Sequence, residues 1–196
     1  MNITNKGDYG YLTRYKRNKL IATVVLGLMI ILSVVITVIM FGDTKRVAII
    51  FAILLSLPFA KFFIAYITCA RYKSIDAGLA EIIYEKAGRN SVLLDMVISQ
   101  YEGMKHYSSI CVKNGGIYAL ITEKDFVGSN QSNSVIYKEY ESWITNCACD
   151  SKYNYKVRLF SKPEEYIKKL SSISEPNDNN KLIDKHIRER ICDSSI

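Results

Sequence analysis

The chain has 196 residues, 49% of them hydrophobic, and carries 26 Lys and Arg against 19 Asp and Glu for a formal charge of +7. The excess is not spread along it: residues 1–19 hold five basic groups against Asp8, whereas 71–196 hold 18 against 17. That distribution leaves no general nucleic-acid signal and points instead to anionic lipid headgroups as the partner of the N-terminal part.

Two apolar runs follow the basic start, 20–41 and 47–70. The first has no ionisable residue and the second only Lys61, so each is long enough to cross a hydrocarbon core of about 30 Å as a helix. Together they predict a transmembrane hairpin with the loop 42–46 between its arms. Arg14, Lys16, Arg17 and Lys19 precede the first arm, and Arg71 and Lys73 follow the second. The loop has Lys45 and Arg46, offset in part by Asp43. Because Lys and Arg accumulate on the cytoplasmic side, the reading is a multi-pass protein of a bacterial plasma membrane with both termini in the cytoplasm. A cleaved signal peptide fits the first run poorly: the apolar stretch exceeds the usual length, and no small-x-small site precedes a mature start.

Within the second run Ala48, Ala52, Ser56 and Ala60 recur every four residues. This small-residue stripe is expected to face Thr23 and Gly27, allowing close helix approach within the hairpin or in a homo-oligomer. Pro58 and Lys61 interrupt the run and form its candidate binding element. Proline removes a backbone donor and tends to kink a helix. Lys61 lies about 21 Å in from Val47, roughly 9 Å short of the cytoplasmic boundary. It reads either as a snorkelling side chain or as a functional cation facing a groove or a partner helix.

Beyond the hairpin, residues 73–89 read as a helix, with Ile75, Leu79, Ile82 and Ile83 at helical spacing. Residues 92–99 are a compact apolar run interrupted by Asp95. The segments 108–113 and 117–122 flank Asn114, Gly115 and Gly116, which predicts a hairpin. A polar loop, 123–133, leads to a helix from Ser134 with Ile136, Tyr140, Trp143, Ile144 and Cys147 on one face. Tyr155, Val157 and Leu159 alternate with Lys156 and Arg158, as in a strand with one solvated face. Ser161 stands three residues before Glu164, a capping box opening a helix with Tyr166, Ile167 and Leu170 inward. Residues 176–180 break the chain before a last amphipathic helix bearing Ile183, Ile187 and Ile191. The expected division is a basic segment 1–19, the hairpin 20–70, an α/β domain 71–175, and a linker with terminal helix 176–196. The fold class is a membrane protein whose C-terminal domain runs α-β-β-β-α-β-α-α in two or three layers.

Chemistry is sparsely signalled. The five cysteines, Cys69, Cys111, Cys147, Cys149 and Cys192, are expected to stay reduced in the cytoplasm. Cys147 and Cys149 lack a second pair at zinc spacing, and His106 and His186 are isolated, so no metal is assigned. Cys111 and His106, five apart, would point to opposite faces of a strand unless a bulge intervened. Glycine-rich phosphate loops, nucleophile elbows and paired metal-spaced histidines are missing from the sequence.

The element order, with the stretch from Ile117 through the 134–150 helix to 156–160 and 163–170, resembles the restriction-endonuclease-like core, in particular the end of the Mrr-type nuclease domain. That resemblance implies a divalent cation such as Mg²⁺ held by strand carboxylates, with a lysine assisting. Carried over residue by residue, its catalytic candidates are Asp95, Cys111 and Lys113. Cys111 stands where a Glu or Gln is expected, and a thiol is a poor ligand for Mg²⁺. The whole chain also resembles a bacterial family of small two-span membrane proteins with a cytoplasmic α/β domain, a likeness carried by the Pro58 to Lys61 element and implying no activity. The leading expectation is a membrane-anchored interaction or scaffold module without enzymatic activity or cofactor, partnered by itself or by another membrane protein. The alternatives are a membrane-tethered nuclease or nucleic-acid-binding protein, and a subunit of an oligomeric transporter or channel.

Overall fold

The computed structural model describes residues 6–39, 43–101, 103–121, 133–148, 155–174 and 178–196. They fall into two compact units, one of residues 12–73 and the other of the described residues through Tyr11 together with 74–196.

The first unit holds helices α1, Tyr11–Ile39, and α2, Asp43–Ala70, both long and apolar enough to cross a membrane. α1 starts well before the apolar run. Residues 11–19 are Leu, Arg, Lys and other helix-tolerant types without Gly or Pro, and their charge does not stop a helix from propagating. Gly10, at φ +79°, marks the turn before it. α2 runs uninterrupted through Pro58.

The second unit is a four-stranded sheet between two helical layers. Its elements are α3 Ala77–Ala87, β1 Val92–Gln100, β2 Gly103–Lys113, β3 Gly116–Leu120, α4 Asn133–Ala148, β4 Lys156–Phe160, α5 Pro163–Ser171 and α6 Asp178–Asp193. The order in the sheet is β1-β2-β3-β4, the first three antiparallel and β4 parallel to β3 after the α4 crossover. Asn114 and Gly115, both at positive φ, make the two-residue β2–β3 turn, as strand twist requires. α3 and α5 cover one face around Ile83, Leu94, Cys111, Tyr166 and Leu170. α4 and α6 cover the other around Ile98, Tyr107, Ile110, Trp143 and Ile187. The architecture therefore has three layers.

Three expectations change here. α6 is no appendage beyond a linker, because Ile187 and Ile191 are fully within the core. A helix with an isoleucine stripe needs cover, and the sheet provides it. The first helix of this unit is shorter than 73–89, opened by Asp76, whose Oδ2 accepts from the Gly78 N–H at 3.0 Å. α5 has no capping box at Ser161: its N-cap is Lys162, with Pro163 in the first turn and no side-chain cap bond. Proline's fixed φ sets that start without a hydroxyl. Of the expected loop 123–133, Asn133 opens α4, and the rest, with Thr122 and Cys149, lies outside the described residues.

β1 is not a regular strand. Val92 and Leu94 face the α3/α5 layer, yet Met96 and Ile98 face the α4/α6 layer, although alternation would keep all four together. The inversion falls at Asp95, whose φ is +52°, and regular pairing omits the Asp95–Ser108 rung. Tyr107 inverts with it on β2, so both strands turn over together.

Candidate functional site

Asp95 sits at this inversion, 2% exposed, and its Oδ1 accepts the backbone N–H of Ile75 at 2.8 Å. His106, also 2% exposed, brings Nε2 to 3.9 Å from the same oxygen. The carboxylate thus fastens the segment that leads into α3. Cys111 and Lys113 lie farther along β2, Lys113 five residues past Ser108 and so about 16 Å away along the strand. The three residues carried over from the nuclease resemblance are not brought together. Burial in the α3/α5 layer pushes the Cys111 thiol up to about 12, against the pull of the Lys113 charge and with a smaller push from Asp184. The inversion does put His106 and Cys111 on one face, as a bulge would, but about 16 Å apart.

At the far end of β2 the α3/α5 face turns basic. Lys113, Gly116 and Lys156 share one rung across three strands, and Cys111, Tyr118 and Arg158 share the next rung on the same face. Lys156 and Arg158 are exposed, while Lys113 is 7% exposed. Among the described residues, its ammonium makes neither a hydrogen bond nor an ion pair. The Tyr118 ring lies across Gly116, within 2.9 Å of where a Cβ would stand, so any side chain there would displace the ring. Lys169 of α5 reaches over that ring at 5.9 Å. The contrast is Lys105, whose ammonium is fixed between the Tyr140 and Trp143 rings and bonded to Glu139 at 2.8 Å. Composition alone does not reveal this cluster, because its cations come from two strands and a helix and converge only through pairing across β3.

The opposite edge of the sheet is closed by the chain's own ends. The Leu94 N–H donates to the Gly7 carbonyl at 2.7 Å, and the Tyr9 N–H to the Tyr84 hydroxyl at 3.1 Å. From the other end, the Ile196 N–H donates to Val97 and the Ser99 N–H to Ser194. Lys6 Nζ joins the two by donating to the Ser195 carbonyl at 2.9 Å. A cleft of about 300 Å³ opens beside this strap, with Lys6, Arg89 and Arg188 balanced by Asp8, Glu189 and Asp193. At the β2–β3 turn, Asp184 Oδ2 accepts the Asn114 N–H at 2.8 Å, tying α6 to the hairpin.

In the helical pair, Thr23 is buried and Gly27 faces Phe59, whose ring lies 3.3 Å from a Cβ position on the glycine. Ser56 and Ala60 are exposed and Ala52 is half-buried, so Gly27 meets the Phe59 side of α2, while the Thr23 hydroxyl donates to the Lys19 carbonyl of its own helix at 2.8 Å. A helix face is about 100° wide, and the stripe drifts off it while Phe59 and Phe62 stay on it. Nothing is described of the Ala48 side chain. Lys19 lies over the rings of Tyr15 and Phe62, and Lys16 donates to the Tyr72 carbonyl. Pro58 is half-buried and Lys61 is exposed.

Among the described residues no three His, Cys, Asp or Glu side chains are placed to share a metal ion. Comparison of the chain with protein-family models, with curated proteins and with solved structures finds no match.

Proposed function

We propose that the chain is a two-span protein of a bacterial plasma membrane whose α/β/α unit is a non-enzymatic interaction module on the cytoplasmic side. The observation that carries this reading is the make-up of that unit. Residues 6–11 precede the apolar hairpin and 74–196 follow it, yet they complete one fold through the Gly7–Leu94 and Lys6–Ser195 bonds. This supports a common compartment for both leads, and the basic residues 14–19, Arg71 and Lys73 support the cytoplasmic one. Anionic headgroups are the partner of those basic residues, and itself or another membrane protein the partner of the module. The separation of Asp95 from Lys113 by about 16 Å along β2 favours a binding role over metal-dependent hydrolysis, so no cofactor enters this reading and Mg²⁺ belongs only to the nuclease alternative.

The test is labelling of cysteines introduced at Thr44 and Glu164 with a membrane-impermeant maleimide. In intact cells Thr44→Cys should label and Glu164→Cys should label only after permeabilisation. The reverse pattern, or release of the protein from membranes by alkaline carbonate, would overturn the topology. A Mg²⁺-dependent nuclease activity of the full chain that disappears in Asp95→Ala would overturn the non-enzymatic role.

A further inference from the structure

The two edges of the sheet are treated differently. β1 is covered by the strap at 6–9 and the tail at 194–196, whereas among the described residues no backbone group pairs with the outer edge of β4. An uncovered edge is a row of donors and acceptors ready to take another strand.

What borders that edge selects the strand. Lys156 and Arg158 are exposed on β4, Lys113 stands on the same face with its ammonium unpaired among the described residues, and Lys169 overhangs Tyr118. No ion pair among the described residues involves any of these four cations. The Lys113 stem is buried while its ammonium has no counter-charge among the described residues, so a carboxylate brought beside these four cations gains from all of them. A second copy cannot supply it through the same edge, because β4 against β4 would set Lys156 and Arg158 against their own equivalents.

We propose that the outer edge of β4, with Lys113, Lys156, Arg158 and Lys169, is the docking site for an extended acidic segment of a partner protein. The segment adds as a fifth strand through main-chain hydrogen bonds. Its alternate side chains, two residues apart, present carboxylates to the basic face. The proposal rests on the interaction-module reading and names its partner class.

The experiment uses the full chain in nanodiscs of phosphatidylcholine, alone or with phosphatidylserine, and a fluorescein-labelled decapeptide alternating Glu and Val. The peptide should bind in both lipids and slow amide exchange across 156–160. Lys156→Glu with Arg158→Glu should weaken binding about tenfold or more, since reversed charges repel as strongly as the originals attract. Both positions are exposed, so the fold is kept, and Lys113→Met, which is isosteric along its stem, should weaken binding in the same direction. A peptide N-methylated at alternate residues should lose binding, because it cannot pair as a strand. Equal binding of the N-methylated peptide, or of a Lys and Val control, would overturn the docking mode. Absence of peptide binding would overturn the site, and protection of Lys156 from acetylation only in phosphatidylserine discs would assign the face to lipid. Either result with the cysteine-labelling pattern intact leaves the topology standing and removes this site alone.

Discussion

Asp95 combines two costs at one position, a carboxylate kept from water and a backbone at φ +52° in the left-handed region. Its bond to the Ile75 N–H offsets the first, and Asp is among the few residues that tolerate the second. Asp95→Ala should therefore cost about 3 kcal/mol, while Asp95→Asn, which keeps an acceptor and the same backbone tolerance, should cost less than half of that. Urea unfolding of the full chain followed by the fluorescence of its one tryptophan, the buried Trp143, reads both. Cys111 carries a different signature. Its thiol is protonated in the fold up to about 12 but ionises from 9.0 upward once unfolded. The unfolded chain then holds fewer protons than the folded one, so stability should fall as pH rises through that window and be unaffected below it. Buried Tyr107 and Tyr166, also raised by desolvation, add to the fall at its alkaline end. Alkylation by iodoacetamide near pH 8 should correspondingly spare Cys111 until urea opens the domain.

Elements were legible where a local rule decides them. Asn114 and Gly115 announce their turn because few other residues accept two consecutive positive φ angles, and Val157 and Leu159 announce β4 by alternation. The start of α5 was misread because Pro163 fixes it without help from Ser161, and the start of α3 was missed although Asp76 caps it. These two ends make a paired prediction. Asp76→Ala should lose about 1 kcal/mol and Ser161→Ala only a few tenths, measured as urea midpoints. The inversion of β1 was illegible for a deeper reason. Asp95 advertises polarity in an apolar run, but its left-handed conformation is imposed by tertiary pairing with β2 and by the bond to Ile75. The basic face behind Tyr118 was hidden in the same way, since Lys113, Lys156, Arg158 and Lys169 are scattered between positions 113 and 169 and meet only through strand pairing.

For the whole molecule, the least legible feature is the strap. Residues 6–9 show no periodicity, and their role depends on partners far away in sequence. Gly7 is fixed by space and by conformation, because its φ is +87° and a Cβ there would lie 2.4 Å from Leu93 Cδ2. Gly7→Ala should detach the strap at a cost of about 1–3 kcal/mol, seen as faster amide exchange at Leu94. The separation of the partners also sets an order of assembly. The Lys6–Ser195 bond joins positions 189 apart, with both apolar helices between them. During synthesis residues 6–9 emerge before the two apolar helices and wait for their partners until β1 and then 194–196 have been made. The sheet is therefore sealed by segments made before and after both apolar helices, so any pause in producing that pair leaves the β1 edge open for as long as it lasts.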